Sequence, residues 1–454
     1  MKKLKKHNLT KTAVFAGAAA LLTLIPNVNA QSSDALLDKL VDKGILTVKE
    51  AQELRDESDK NFNQALQVKN GMPDWVSALK FNGDIRARYE NFSGENPLFQ
   101  DRNRFRYRVR FGVVATFADD LEAGFKLTTS DVASGGANNE GDPISGNTTF
   151  QNNGSKKLIY IDQAYGKWSP LKGPDFTGSL TVGKMENPFV FSDMVFDPDY
   201  TPEGAAIQLG YQINDKHSVK FNGGAFVIDE LAANANDPYM LGAQVRWDAA
   251  WTPKLSTSMG LAWLDLMNSA YITNSTIPNI NRGNTHSAAG GWVYKYHPIV
   301  ADASATYMLD SFPLYPGAFP IKVGGEYMYN PGAPSSADNY AYSAGVTFGK
   351  AGKKKTWEFA YTYKFLGADS WFEEVVDSDF GAFYSAANSP ANSGAGIGYG
   401  AGTNVKGHIL RLSYSPFDAV TLSAKVFLTD LITRYPNNSN SGMTRLQVDA
   451  QWKF

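Results

Sequence analysis

The stretch Asp101–Phe117, DRNRFRYRVRFGVVATF, alternates between two kinds of side chain. Arginine stands at every second position: Arg102, Arg104, Arg106, Arg108 and Arg110. Apolar side chains, from Phe105 to Val113, stand between them. Side chains alternate between two faces in a β-strand, so the pattern predicts a strand with a guanidinium face and an apolar face. A soluble sheet would bury the apolar face, whereas a membrane barrel would turn it to lipid and the arginines to a water-filled lumen.

The same alternation recurs along the chain from Leu79 to the C-terminus. The last such segment begins at Gly442 and ends in the aromatic residue Phe454. Aromatic side chains cluster near the ends of these segments: Trp168, Trp247, Trp251, Trp263, Trp357, Tyr363, Phe365 and Trp452. Aromatic girdles of this kind are typical of barrels at the two membrane interfaces.

The connections between these segments differ in length in a regular way. The long ones are Asp131–Lys157, Asn187–Gly204, Asp265–His286 and Gly367–Lys406, and short ones such as Ala118–Asp120 lie between them. Alternation of long and short connections is typical of outer-membrane barrels, which have external loops and periplasmic turns. The alternation is regular if Gly291–Leu309 is one long strand and Ser311–Pro320 a periplasmic turn.

This arrangement predicts an all-β fold, a transmembrane antiparallel β-barrel of about 16 strands within residues 72–454, with both ends in the periplasm. Barrels of that size leave an aqueous channel. A secreted sandwich or a β-helix explains neither the two-sided loop lengths nor the aromatic girdles. No later segment has the ~18 continuous apolar residues of a spanning helix.

Residues 1–30 have the features of a secretory signal peptide. Lysines such as Lys2 and Lys3 precede the short apolar core Ala13–Ile25, and small residues occupy Val28–Ala30. Residues 31–71 are predicted to form a periplasmic helical segment, because Thr47 and Glu50 make a capping box. Its apolar stripe is too short to fold alone, so it needs a partner. The candidates are the barrel, a second copy of the chain, or the cell wall.

The composition excludes several classes of protein. A net charge of −2 gives no bulk preference for nucleic acid. The absence of cysteine excludes disulfides, thiolate metal sites and cysteine nucleophiles. The chain has no HExxH, GxSxG or Walker motif. We therefore predict no catalytic residue, no metal site and no cofactor, and a protein that is not an enzyme.

Several stretches resemble the bacterial putative porin family and, more distantly, the phosphate-selective porins O and P. They are the signal peptide, the helical segment, the arginine strand, Val182–Tyr211 (VGKMENPFVFSDMVFDPDYTPEGAAIQLGY) and the C-terminal strand ending in Phe454. The resemblance implies a passive diffusion channel of the outer membrane, commonly a homotrimer, surrounded by lipid. It does not imply a particular solute.

The predicted pore-lining basic residues are the five arginines of the opening stretch together with Arg86 and Arg88 on the preceding strand. The predicted constriction loop supplies four acids: Asp193, Asp197, Asp199 and Glu203. Three interpretations stay open. The two sets face each other across a transverse field, the arginines give a net preference for anions such as phosphate, or the charges pair inside the wall.

The sequence therefore predicts a porin for small hydrophilic solutes or ions. The alternatives are a structural envelope protein, in which the barrel anchors a periplasmic tether, and a dedicated anion channel.

Overall fold

The computed structural model describes Pro73 and Trp75–Phe454, apart from residues 134–139, 233, 274–276, 280–281, 288–289, 385–397 and 434–439. The chain divides into two units, Met1–Asp74 and Trp75–Phe454, and the second unit is described below. The predicted signal peptide and the predicted helical segment at 31–71 lie outside the described residues and stay predictions.

The described residues form a closed antiparallel barrel of sixteen long strands. Each long strand pairs with the next along the chain, and the last pairs back to the first. Three further strands, β4, β15 and β16, are short. The bounds are β1 Val76–Gly94, β2 Arg102–Phe117, β3 Leu121–Thr129, β4 Thr148–Thr149, β5 Ile159–Lys172, β6 Phe176–Lys184, β7 Glu203–Asn214, β8 His217–Val227, β9 Tyr239–Ala250, β10 Leu255–Met267, β11 Ile299–Leu309, β12 Phe319–Tyr329, β13 Tyr340–Gly349, β14 Thr356–Leu366, β15 Gly381–Tyr384, β16 Gly398–Ala401, β17 Val405–Phe417, β18 Val420–Leu431 and β19 Met443–Lys453.

The prediction of a sixteen-stranded barrel is confirmed, and the reason is the alternation within each strand. On β2, Phe105 is 55% exposed on the outer face, whereas Arg108 is 4% exposed on the inner face. Large apolar side chains such as Leu261 and Trp263 face outward on other strands in the same way. The outer surface is therefore apolar, as a lipid environment requires.

The two rims of the barrel have connections of different length. Turns such as 118–120 and 215–216 form the short-turn rim, and eight longer loops form the long-loop rim. Asp119 and Asp120 adopt the left-handed conformation (φ 60° and 64°), which Asp tolerates better than most residues. The predicted alternation of short and long connections is present.

The predicted long strand Gly291–Leu309 is wrong in its first half. The strand is Ile299–Leu309, and residues 268–298 form the fifth loop on the long-loop rim. Pro298 lacks the N–H that a continuous ladder needs, although the backbone oxygens of Pro298 and Tyr296 still accept from Leu264 and Leu266 on β10. Tyr296 is fully buried there and donates to Asp369 Oδ1 at 2.8 Å.

The C-terminal residue helps to close the barrel. Gly83 N donates to Phe454 O at 2.9 Å, and Phe454 N donates to Gly83 O at 3.1 Å. A Cβ on Gly83 would clash with the backbone oxygen of Arg110 and come within 2.6 Å of the Phe454 ring, so the close approach of β2 requires glycine at this position.

The upper lumen contains a packed apolar core. The third loop, 185–202, and the described part of the seventh loop, 367–404, meet inside the barrel and bury Val195, Phe196, Trp371 and Phe372. Two short 3-10 helices, Ser269–Tyr271 and Ser335–Ala337, lie in other loops. Within the described residues, no helix has the length and hydropathy needed to cross a bilayer.

Candidate pore and its charged lining

The arginine strand is placed beside carboxylates from distant parts of the chain. Arg108 bonds Asp84 Oδ1 at 2.9 Å and Asp199 Oδ1 at 2.8 Å. Arg110 lies 2.7 Å from Asp84 Oδ2 and 3.4 Å from Asp199 Oδ1. Arg104 Nε lies 2.6 Å from Glu90 Oε2.

The neighbouring guanidinium groups are paired in the same way. Arg88 makes a bidentate contact with Asp449, at 2.7 and 2.8 Å, and also lies 3.1 Å from Asp379. Arg106 lies 3.3 Å from Asp131. Each of these side chains therefore has a carboxylate partner inside the barrel wall.

Two of the predicted arginines differ from the rest. Arg86 donates from Nη2 to the amide oxygen of Asn147 at 2.6 Å. Arg102 is exposed at the first position of β2, near the long-loop rim. The structure therefore groups Arg104 to Arg110 with Arg88 and leaves Arg102 outside this group.

The third loop crosses the lumen from the arginine strand to the opposite wall. At one end Asp199 meets Arg108. Further along the loop, Val190 O accepts from Gln244 at 2.8 Å and from Arg246 at 3.0 Å. Ser192 hydroxyl donates to Glu326 on β12. The loop is thus fixed to three separate strands.

The predicted loop acids have different environments. Burial opposes the charge of Asp199, but Arg108, Arg86 and Arg110 outweigh it and lower the pKa of that carboxyl. Burial and the nearby carboxylates of Asp199 and Asp377 raise the pKa of Asp197 well above its usual range.

Asp193 has a lysine as its partner. Its carboxylate lies 2.7 Å from Lys364 Nζ, and this lysine outweighs burial and lowers the pKa of Asp193.

The structure corrects the prediction that Glu203 belongs to the constriction loop. Glu203 is the first residue of β7, outside the third loop, and its side chain is 64% exposed. It pairs with Lys184 at 3.0 Å on the adjacent strand. β7 pairs with β6 from Glu203 onward, so this strand begins earlier than the sequence predicts.

The charged groups of the seventh loop and the residues that anchor it were not predicted from the sequence. Asp379 lies 2.8 Å from Arg445, which is fully buried and also pairs with Glu90. Asp377 lies 2.9 Å from Lys364, whose side chain has no exposed surface. Lys364 and Arg445 stand at positions that face inward in the alternation of their strands. This alternation could have predicted them as charged groups of the lumen.

Two cavities with shared lining residues lie on the long-loop side of the lumen. The mouth cavity, about 690 Å³, is lined by residues of several loops, including Asp142, Asp229 and Tyr200. The loop cavity, about 280 Å³, lies along the third loop and includes Phe191. The two share Arg110 and Tyr200 in their linings.

Two further cavities continue toward the short-turn rim. The wall cavity, about 540 Å³, is lined by Phe191, Arg246 and Asp302 among others. The turn cavity, about 400 Å³, includes Asp215 of a short turn, and it shares Lys322 with the wall cavity. Among the described residues, no group of three His, Asp or Glu side chains is placed to hold a metal ion.

Residues 95–290 match the model of a family described as putative porin. The predicted resemblance to that family is confirmed. The more distant likeness to phosphate-selective porins stays a prediction. A comparison with curated proteins found no match.

The structure was also compared with solved structures. A mutant of the Rh. blastica porin has 11% identity and a TM-score of 0.42, covering 83% of this chain and 100% of that one. OprB of Pseudomonas putida has 10% identity and a TM-score of 0.48, covering 83% and 94%. A loop-deletion mutant of OmpT of Vibrio cholerae has 11% identity and a TM-score of 0.43, covering 83% and 99%.

The family match and the closed sixteen-stranded barrel together support an outer-membrane porin channel.

Proposed function

We propose that this porin passes small hydrophilic solutes and ions by passive diffusion, along a path that begins beside Arg110 of the arginine strand and continues along the wall formed by β9–β12. The observation that carries the proposal is the succession of cavities from one rim to the other. Adjacent cavities share lining residues: Arg110 between the mouth and loop cavities, Phe191 between the loop and wall cavities, and Lys322 between the wall and turn cavities. Each cavity has polar and charged side chains in its lining, as an aqueous path requires.

The narrowest point of this path is proposed to lie at Phe191. This ring is the residue common to the loop and wall cavities, and it packs against Phe189 and Phe196 with ring centroids 5.9 and 5.8 Å away. The third loop would therefore set the size limit. Since the third and seventh loops fill much of the upper lumen, we expect a smaller conductance than an open sixteen-stranded barrel would have.

The arginine strand has a structural role in this proposal. Six arginines, including Arg445, meet six carboxylates there, so the local charges largely cancel. Buried, hydrogen-bonded pairs of this kind hold loops in position, because a single unpaired member would be costly. Three interpretations of the arginines and the loop acids were open. The observed ion pairs favour pairing inside the wall over a net preference for anions.

The rest of the proposal is based on the family resemblance and on the fold. The barrel sits in outer-membrane lipid, residues 31–71 extend into the periplasm with a contact to the cell wall, and the protein assembles as a homotrimer. The channel carries out no chemical reaction and uses no cofactor.

The test is single-channel recording with purified protein in a planar bilayer. We expect discrete open-channel steps in KCl, and uptake of small sugars by proteoliposomes. A protein that inserts as a heat-modifiable barrel but gives no current would contradict the channel and favour the structural envelope alternative. A Phe191→Ala variant should conduct more than wild type, whereas Phe105→Ala on the lipid face should not.

A further inference from the structure

The mouth cavity has an unbalanced charge. Eight carboxylates line it, against two basic groups, Arg110 and Lys184. The acids are Glu140, Asp142, Asp162, Asp199, Glu203, Asp229, Glu230 and Glu374. An excess of one sign in a cleft with low-dielectric walls concentrates ions of the opposite sign.

Some of these acids are compensated by the wall. Asp199 pairs with Arg108 and Arg110, and Glu203 pairs with Lys184. Other acids of the cavity have no such partner. Within the part of the chain that the structure describes, no salt bridge to lysine or arginine is formed by Asp142, Asp229, Glu230 or Glu374.

Glu374 carries the second observation. This residue is only 5% exposed, and it lines the mouth cavity. Oε1 accepts from Asn279 N at 3.1 Å, but Oε2 has no hydrogen-bond partner among the described residues. A buried carboxylate oxygen without a partner is costly, so its position indicates a group that arrives from the cavity.

Asn279 links this carboxylate to a second one. Its side-chain amide donates to Asp142 Oδ1 at 3.2 Å, while its backbone N–H donates to Glu374. Arg282 holds the amide oxygen of Asn279 at 2.8 Å and so fixes the orientation of the amide. The two carboxylates are therefore presented together on one side of the cavity. Burial raises the pKa of Glu374 well above its usual range, and the charge of Arg282 opposes that rise only in part, so a cation entering the cavity would favour the ionised carboxylate.

The rim of the cavity is crowded with negative charge. Burial, and then the carboxylates of Glu140 and Glu230, raise the pKa of Asp229. A cation between these groups would relieve their repulsion.

The cavity also contains aromatic rings: Tyr160, Tyr200 and Phe372 line it together with the acids. Aromatic faces beside carboxylates are suited to organic cations, because the ring quadrupole attracts a weakly hydrated ammonium group. A chelated metal ion fits less well, since no group of three His, Asp or Glu side chains in the described ranges is close enough to ligate one.

We propose that the mouth cavity binds small organic ammonium ions and makes the channel prefer cations, with Glu374 and Asp142 as the inner site and Asp229 and Glu230 at the rim. The proposal rests on the channel function above and adds its substrate class. It assigns charge selection to the acids of the mouth cavity and not to the arginines of β2.

The test measures zero-current potentials across a planar bilayer. Wild type should pass K⁺ better than Cl⁻, and ethylammonium better than Na⁺ although ethylammonium is larger. Neutralising the rim in Asp229→Asn/Glu230→Gln should lower the K⁺ to Cl⁻ ratio by about twofold for each removed charge, as expected for a salt-screened charge about 10 Å from the ion in water. The ethylammonium to Na⁺ ratio should stay nearly unchanged in this variant, because both ions carry the same charge. Glu374→Gln should lower the ethylammonium ratio more than the K⁺ ratio.

The matched control is Asp175→Asn/Asp310→Asn, which removes two exposed carboxylates at the short-turn rim and should change neither ratio. An open channel that favours Cl⁻, or rim variants that keep the wild-type K⁺ to Cl⁻ ratio, would overturn the proposal while leaving the channel function intact. Block by MgCl₂ at lower concentration than by ethylammonium chloride would overturn it in favour of a divalent-metal site. Absence of any current would defeat the channel function itself.

Discussion

Replacing Lys364 by methionine should release the two lumenal loops from the wall. Lys364 has no exposed surface, and its Nζ lies 2.7 Å from Asp193 of the third loop and 2.9 Å from Asp377 of the seventh loop. It also lies 4.7 Å from the centre of the Phe380 ring. One side chain of β14 thus holds both loops.

The expected magnitude follows from the burial of this triad. Removing one partner of a buried ion pair costs ~3–5 kcal/mol, because the charges left behind stay desolvated. At ~1.4 kcal/mol per factor of ten, the equilibrium between docked and released loops shifts by roughly two to three and a half orders of magnitude. Loop release should appear as a larger and noisier single-channel current in KCl, and as faster cleavage of the loops by external protease.

The exposed pair of Lys220 and Asp248 provides the control. These groups are 2.8 Å apart, but their side chains are 53% and 34% exposed. Exposed pairs contribute ~0–1 kcal/mol, so Lys220→Met should leave the protease resistance of the loops unchanged.

The effect of Lys364→Met should also depend on pH, with a defined sign. Without the lysine, burial raises the pKa of Asp193 and Asp377 in the docked loops above that of released aspartate, about 3.9. The destabilisation is then full above the raised pKa and vanishes as the pH falls below ~3.9, where both states are protonated. The triple variant Lys364→Met/Asp193→Asn/Asp377→Asn should approach wild type at neutral pH, since it leaves no unpaired charge. Wild-type current and protease resistance in the single variant at pH 7 would refute the reasoning.

Three further predictions concern other parts of the barrel. His286 Nε2 lies 2.9 Å from Glu373; burial opposes the imidazolium, but Glu373 outweighs it and raises the pKa of His286. This contribution is full below pH ~6.5 and is lost as the pH rises through the raised value, so protease resistance of the fifth loop should fall as the pH rises above ~6.5, and His286→Asn should abolish that dependence. Trp371→Ala removes a fully buried ring and the bond from Nε1 to Val195 O at 3.0 Å; it should cost ~3–5 kcal/mol of loop packing and increase the current, and an unchanged current would count against the packed core. Leu261→Arg places a charge on the outer face, where the leucine is 60% exposed; barrel stability in urea titrations in lipid vesicles should fall by ~2–4 kcal/mol, and a neutral result would argue against a lipid-facing position.

The inward packing of the seventh loop could not be predicted from the sequence. Its length predicted an external loop, but nothing in its local pattern predicted that Trp371 would pack on Val195 of the third loop. Such contacts depend on where the strands bring two distant segments together. Pro298 lacks an N–H, which predicts that the strand ladder is interrupted there. The regular alternation of loop lengths instead favoured one long strand through this proline.

The barrel follows from local patterns in the sequence. Alternation with period two fixes which side chains face outward and which face inward, and it does so within each strand, independently of the rest of the chain. The number of strands followed from the alternation of loop lengths, because antiparallel strands return the chain to the same rim every second connection.

The net charge around the arginine strand depends on contacts that exist only in the folded protein. Arg88 pairs with Asp449, 361 positions away, and Arg108 pairs with Asp199 of a loop that crosses the lumen. An electrostatic field depends on distances in space, and those distances are set by closure of the barrel and by loop packing. The alternation of DRNRFRYRVRF therefore specifies where its arginines point, while the folded barrel specifies that carboxylates meet them there.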